Sequence, residues 1–235
     1  MLMRWIVTVA VVTAAPPAGL AQYEEQRSYE PSSARYLASG VFFRDFAPRE
    51  GNTAPDSLVI RYTCVMPILT FNQGPVEVTV GYSTYDLPAR SSRAAIFLGT
   101  RFTSEFPLAG GRGSALLLPF LLAADYTKSE GAGAQRDDFN VASLGIGTGL
   151  KYRLSGEDVD FSATAAAVIH YSFQGYSVQN GSSAALLGDA VLIFRRVPIL
   201  EGIVTGYRFR SQSWSLGGYF DYRTVNHGVY VGVMF

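Results

Sequence analysis

Histidine occurs twice in the 235 residues, at 170 and 227, and cysteine once, at 64. Those positions give no metal-ligand spacing, and no cofactor is expected. A lone cysteine also leaves no intrachain disulfide. His170-Tyr171-Ser172 sets a base two residues from a hydroxyl, the kind of pair from which nucleophilic acyl transfer is built. Asp137-Asp138 and Glu50 sit in polar, loop-like stretches, where solvated charge is their ordinary state. Gly145-x-Gly147-x-Gly149 keeps a strict period of two. That period belongs to a strand, since a phosphate-binding glycine loop has to open into a helix.

The elements that would position these residues are strands throughout. Nearly half of the chain is apolar and 16% is charged, yet beyond residue 21 no window approaches the ~18 unbroken apolar residues of a membrane helix. Period-two alternation predicts strands over Tyr36–Phe46, Leu58–Leu69, Val76–Tyr85, Ala94–Phe106, Ala115–Tyr126, Phe139–Leu154, Phe161–Tyr176, Ala185–Arg196, Ile203–Arg210 and Tyr219–Phe235. Val76-Glu77-Val78-Thr79-Val80 is the clearest of them, valines on one face and polar residues on the other. Pro119 removes one ladder donor from its strand, so a bulge or local distortion is expected there. Ala47–Ser57, Asp86–Ser92, Thr127–Asp138, Ser177–Ser183 and Ser211–Gly218 read as the longer loops. The shorter connections, Asn72–Gly74, Gly110–Gly113, Ser155–Asp158 and Val197–Gly202, alternate with them.

The two ends of the sequence point to an export route. Met1–Arg4 is a short positive segment, Trp5–Ala15 an apolar one, and Gly19-Leu20-Ala21 a small-x-small site before Gln22. Residues 1–21 are therefore read as a signal peptide cleaved between Ala21 and Gln22, and residues 22–34 as a flexible polar arm. At the other end Val229, Val231 and Val233 alternate toward a terminal Phe235. This resembles the C-terminal signature of bacterial outer-membrane β-barrels, in which the last aromatic residue and the alternating residues before it are read by the barrel-assembly machinery. The resemblance, to porin-like and OmpA-like small barrels, covers the last strand closely and the whole chain by its pattern. It implies an all-β fold: residues 35–235 form one closed antiparallel transmembrane barrel of ten strands, or eight if Tyr36–Phe46 lies outside the wall and one further segment is not a strand. It implies residence in the cell outer membrane, with lipid and lipopolysaccharide around the barrel. A net charge of zero argues against nucleic acid as a partner.

A lipid-facing Arg or Lys near the bilayer midplane costs about 2–4 kcal/mol, which assigns mid-strand charges to the lumen. Arg61, Glu77, Arg101, Glu105, Asp125, Lys151, Arg153, Asp189, Arg195, Arg208 and Arg210 are the candidates. Both signs are present, so pairing inside a nearly filled barrel is expected in preference to a lined pore. His170-Tyr171-Ser172 also resembles the His-x-Ser core of the outer-membrane lipid A deacylases. On that resemblance Ser172 would be the acyl nucleophile and His170 its base. Phe173 stands where that family has Asn, no Glu lies in the next dozen residues, and alternation turns both side chains inward, away from lipid. The expected role is thus structural or surface-interactive and not enzymatic. The rivals are a narrow channel for small solutes, a lipid A-modifying enzyme and a soluble lipocalin-like carrier.

Overall fold

The structure, a computed structural model, describes residues 34–88, 90–111, 113–133, 137–175, 180–197, 200–217 and 220–235. The expected signal peptide, its expected cleavage site at Ala21 and Gln22, and all of the expected polar arm but Ala34 lie outside these residues. Ten strands follow one another: β1 Arg35–Pro48, β2 Tyr62–Gln73, β3 Val76–Leu87, β4 Arg90–Gly111, β5 Ser114–Ser129, β6 Phe139–Ser155, β7 Val159–Gln174, β8 Asn180–Arg195, β9 Gly202–Ser215 and β10 Tyr222–Met234. Each pairs antiparallel with its sequence neighbours, and β1 pairs with β10, so the sheet closes on itself. Closure gives every strand a partner on each side, which is what a backbone needs where no water can reach it. The ten-strand count holds because Tyr36–Phe46 is in the wall, held between Asn72–Tyr62 of β2 and Met234–Thr224 of β10.

Alternation sets the faces. Val229, Val231 and Val233 of β10, Val80 and Tyr82 of β3, and Leu144, Ile146 and Leu150 of β6 are exposed on the outside. Their in-between neighbours Tyr230, Thr79 and Ser143 are buried inside. The exterior is thus an apolar belt and the interior is mixed, the inverse of a soluble barrel. No helix among the described residues is long and apolar enough to cross a membrane, and crossing here is by strands.

Two sequence expectations need correction. Asp86–Ser92 is not a long loop: β3 and β4 run on until only residues 88 and 89 join them, and the Asp86 carboxylate accepts the Ser92 N–H at 2.8 Å. β9 continues through Gln212 and Trp214 to Ser215, where the Ser/Gln-rich sequence suggested a loop. Gln212 and Trp214 look into the lumen, while Ser211, Ser213 and Ser215 alternate onto the outer face near the rim, so low hydropathy there does not mark a turn. Pro119 makes no bulge, since the β5–β6 offset is the same at Leu117↔Lys151 and at Phe120↔Thr148, but the ladder is interrupted at Leu118 and Pro119, the local distortion that its missing N–H implies. The bulge lies one strand earlier, between Pro107 and Ala109 of β4.

Candidate functional site in the barrel lumen

Glu77 (β3), Arg101 (β4), Asp189 (β8) and Arg208 (β9) form a ring of four charges across the middle of the lumen. Arg208 Nη2 lies 2.6 Å from Glu77 Oε2 and its Nε 2.7 Å from Asp189 Oδ1. Arg101 Nη1 lies 2.8 Å from Asp189 Oδ2 and its Nη2 3.2 Å from Glu77 Oε1. Every carboxylate oxygen therefore has its own guanidinium, and the ring is neutral. Arg208 also donates to Thr79 Oγ1 at 3.0 Å. Its guanidinium lies 5.3 Å above the Tyr230 ring, which stacks on Tyr36 with ring centres 6.4 Å apart. Strand order decides what the ring does. β3 and β4 are four places around the wall from β9 and β8, so these contacts tie opposite walls together.

Gly206 makes room for this layer. A Cβ built on it would come within 2.5 Å of the Tyr230 ring, so only a glycine lets that tyrosine lie flat under Arg208. Gly145 does the same for His170, whose ring would meet an added Cβ at 2.4 Å.

A second polar layer lies nearer the loops. Arg210 Nη2 reaches Asp125 Oδ2 at 2.5 Å and Gln212 Oε1 at 2.7 Å, with its guanidinium 5.3 Å from the Phe97 ring centre. His170 Nε2 is 3.1 Å from the same Asp125 oxygen, outside good hydrogen-bond alignment. Ser172 Oγ shares a hydrogen bond with Ser143 Oγ at 2.7 Å and donates to Ser183 Oγ at 3.1 Å, and Ser183 accepts from Gln212 Nε2 at 3.1 Å. His170 and Ser172 are buried in this network, 4% and 0% exposed.

Above these layers the lumen is aromatic. Phe46 stacks on Tyr222 and Tyr62, at 4.9 and 5.3 Å between centres, and meets Phe139 edge-on at 5.1 Å. Tyr62 stacks on Tyr85 at 3.6 Å, and Trp214 packs on Phe139. Ile60, from the β1–β2 loop, is buried on top, and its N–H donates to Tyr222 Oη at 3.1 Å. Inside this plug lies Arg44, 1% exposed, whose Nε, Nη1 and Nη2 find no hydrogen-bond partner among the described residues. The Phe46 ring, 5.6 Å away, faces its charge, and the Tyr62 hydroxyl lies close to it as well. At the rim, Lys128 Nζ donates to Glu130 Oε1 at 2.9 Å and holds that carboxyl below the usual carboxylate range, whereas burial pushes Asp138 up.

Toward the opposite mouth, Lys151 pairs with Glu105 at 2.6 Å, and Arg195 pairs with Asp160 at 2.5 Å. Arg153 lies on the same inward face of β6, half-buried. Arg61 is a correction: it is exposed, just before β2, on the outward parity. The inward face of β2 belongs to Tyr62, Met66, Ile68 and Thr70, because the aromatic plug and not charge fills that part of the lumen. Small spaces remain among the described residues. One of about 120 Å³ lies between Tyr36, Arg101, Lys151 and Arg208 at the mouth where Ala34 and Phe235 lie, here called the terminal mouth, and one of about 40 Å³ lies between the two charge layers. The second is room for a water or two.

Sequence reasoning missed Arg44 and the aromatic plug. The signal was there, in the inward alternation Phe42, Arg44, Phe46 of β1, but that strand gave a weak pattern on its own.

A closed strand-crossing wall with an apolar exterior and a charged interior defines a small transmembrane barrel of the bacterial outer membrane. No family model and no curated protein matches the chain. Among solved structures it is similar to Neisserial surface protein A, with 14% identity over 86% of this chain and 97% of that one and a TM-score of 0.32. It is similar also to the β domain of the Bordetella autotransporter BrkA, with 11% identity, 86% and 100% coverage and a TM-score of 0.36. The outer membrane protease OmpT of Escherichia coli shows 8% identity, 90% and 99% coverage and a TM-score of 0.33. What this barrel does has to be read from its own residues.

Proposed function

We propose that this protein is a sealed outer-membrane barrel with a structural or surface-interactive role, its interior serving as a brace and its external loops and rim meeting the surroundings. The observation that carries this reading is the Glu77–Arg101–Asp189–Arg208 ring, which ties opposite walls together with every carboxylate oxygen engaged. A channel would have to break that ring and part the aromatic plug above it. The space at the terminal mouth favours the channel only as far as the ring, where it ends at Arg101 and Arg208. Acyl transfer at Ser172 would need its hydroxyl at the lipid face, whereas it is engaged by Ser143 and Ser183. Purified protein in a planar lipid bilayer should give little or no steady conductance. Reproducible, ion-selective unitary steps would replace this reading with the narrow-channel one.

A further inference from the structure

The outward residues of β10, β1 and β2 stack in rows whose chemistry changes sharply along the barrel. Three successive rows, Val233–Leu37–Phe71, Val231–Ser39–Leu69 and Val229–Val41–Pro67, are almost wholly apolar. The next is His227–Phe43–Val65, with the imidazole stacked on Phe43 at 5.5 Å between ring centres. Above it comes Val225–Asp45–Thr63, and above that Arg223 pairs with Ala47. Arg61 stands one residue beyond the Phe46↔Tyr62 pair, on the other side of Ala47. Two strand spacings separate Arg223 from Arg61, roughly 10 Å. Both are exposed, and so is Arg49, whose N–H is bonded to the Asp221 carbonyl beside Arg223.

None of these three arginines takes part in an ion pair among the described residues. The acids nearby are Asp45 in the row below, Glu50 and Asp56 in the β1–β2 loop, and Asp221, whose Oδ1 is taken by the N–H groups of Leu216 and Gly217. The other outward cation near this rim, Lys128, is held by Glu130. The unpaired exterior guanidinium groups described at the loop end thus gather on one side, where the apolar belt stops.

We propose that Arg61 and Arg223, flanked by Arg49 and His227, seat the phosphate groups of an outer-leaflet glycolipid, lipopolysaccharide, whose acyl chains lie on the valine belt below. Planar guanidinium forks suit phosphate oxygens, and the two arginines stand on either side of the small Ala47. The belt argues for a lipid over free phosphate, because only a lipid gains from the apolar rows as well as the arginines. This inference rests on the barrel lying in the outer membrane and is independent of whether its lumen conducts.

The test uses the mature protein in detergent, with lipid A, dephosphorylated lipid A and inorganic phosphate as probes, read by native mass spectrometry. An exposed charge contact is worth roughly a few-fold, so Arg61→Gln with Arg223→Gln should weaken lipid A retention about tenfold. The same change should leave retention of dephosphorylated lipid A as it is. The double variant's heat-modifiable gel shift reports that it has folded, and Arg61→Lys with Arg223→Lys should recover part of the affinity. Equal retention of lipid A by wild type and the double variant overturns the proposal, as does equal retention of the phosphorylated and dephosphorylated forms. Displacement of lipid A by millimolar inorganic phosphate would overturn the lipid as occupant.

Discussion

Arg208 and Glu77 meet at 2.6 Å although 131 residues of chain separate them, one on β9 and one on β3. Their bond lies within the ring that includes Arg101 and Asp189, so removing one member strands its partners in a buried, poorly solvated place. Breaking such a pair from one side costs about 3–5 kcal/mol. Arg208→Ala should lower the temperature at which the barrel loses its compact gel mobility, well beyond the shift from Glu77→Gln with Arg208→Met together. Similar shifts for both variants would mean the ring is solvated and carries little.

Arg44 predicts the opposite sign. Its three nitrogens find no hydrogen-bond partner and no carboxylate among the described residues, and a buried charge without a counter-charge is a cost. Arg44→Met keeps much of the volume and removes the charge, so the unfolding midpoint should stay or rise. A marked fall in that midpoint would show that the guanidinium is held by something it gains in the membrane.

Ser172 sits at the centre of a serine relay, bonded to Ser143 and Ser183. Ser172→Ala removes one hydroxyl and should cost about 1 kcal/mol of stability. Lipid A isolated from cells making either form should carry the same acyl chains. Loss of an acyl chain with wild type that is absent with Ser172→Ala would restore the hydrolase reading.

Phe235 ends the chain outside the wall, its N–H bonded to the Arg35 carbonyl at 3.2 Å and its ring stacked on Phe71 at 6.1 Å. These contacts are few, so deleting Phe235 should change the finished barrel little and its assembly more. Less folded protein in the outer-membrane fraction with unchanged export is the expected result. Unchanged folded levels would remove the terminal aromatic from the assembly step.

The fold was legible because strands that cross a bilayer carry their two solvents in every second residue. Val76–Tyr85 and Phe139–Leu154 could be assigned to faces without any partner strand in view, and Glu77, Asp189 and Arg208 with them. The candidate site was legible only as a set of charges. Which charge meets which depends on strands four places apart around the wall, and a sequence pattern of period two contains no such distance. Arg61 shows the remaining limit. Its strand carries apolar residues on both faces, Tyr62 and Met66 inward and Val65 and Leu69 outward, so alternation alone could not choose.

β4 reaches further toward the terminal mouth than β3 does. The β3–β4 register ends at Val76↔Phe102, whereas β4 stays paired with β5 as far as Gly111↔Ser114. Beyond the Thr103 N–H, which finds the Pro75 carbonyl at 2.8 Å, no described strand continues the pairing on that side of β4. A strip of this kind is the part of a sheet that invites a foreign strand. Pro107 brings no N–H to it, and the bulge between Pro107 and Ala109 throws the following residues out of step. A neighbouring barrel pressed against this margin would find the ladder broken after a few rungs, so crowding in the membrane need not zip two copies together.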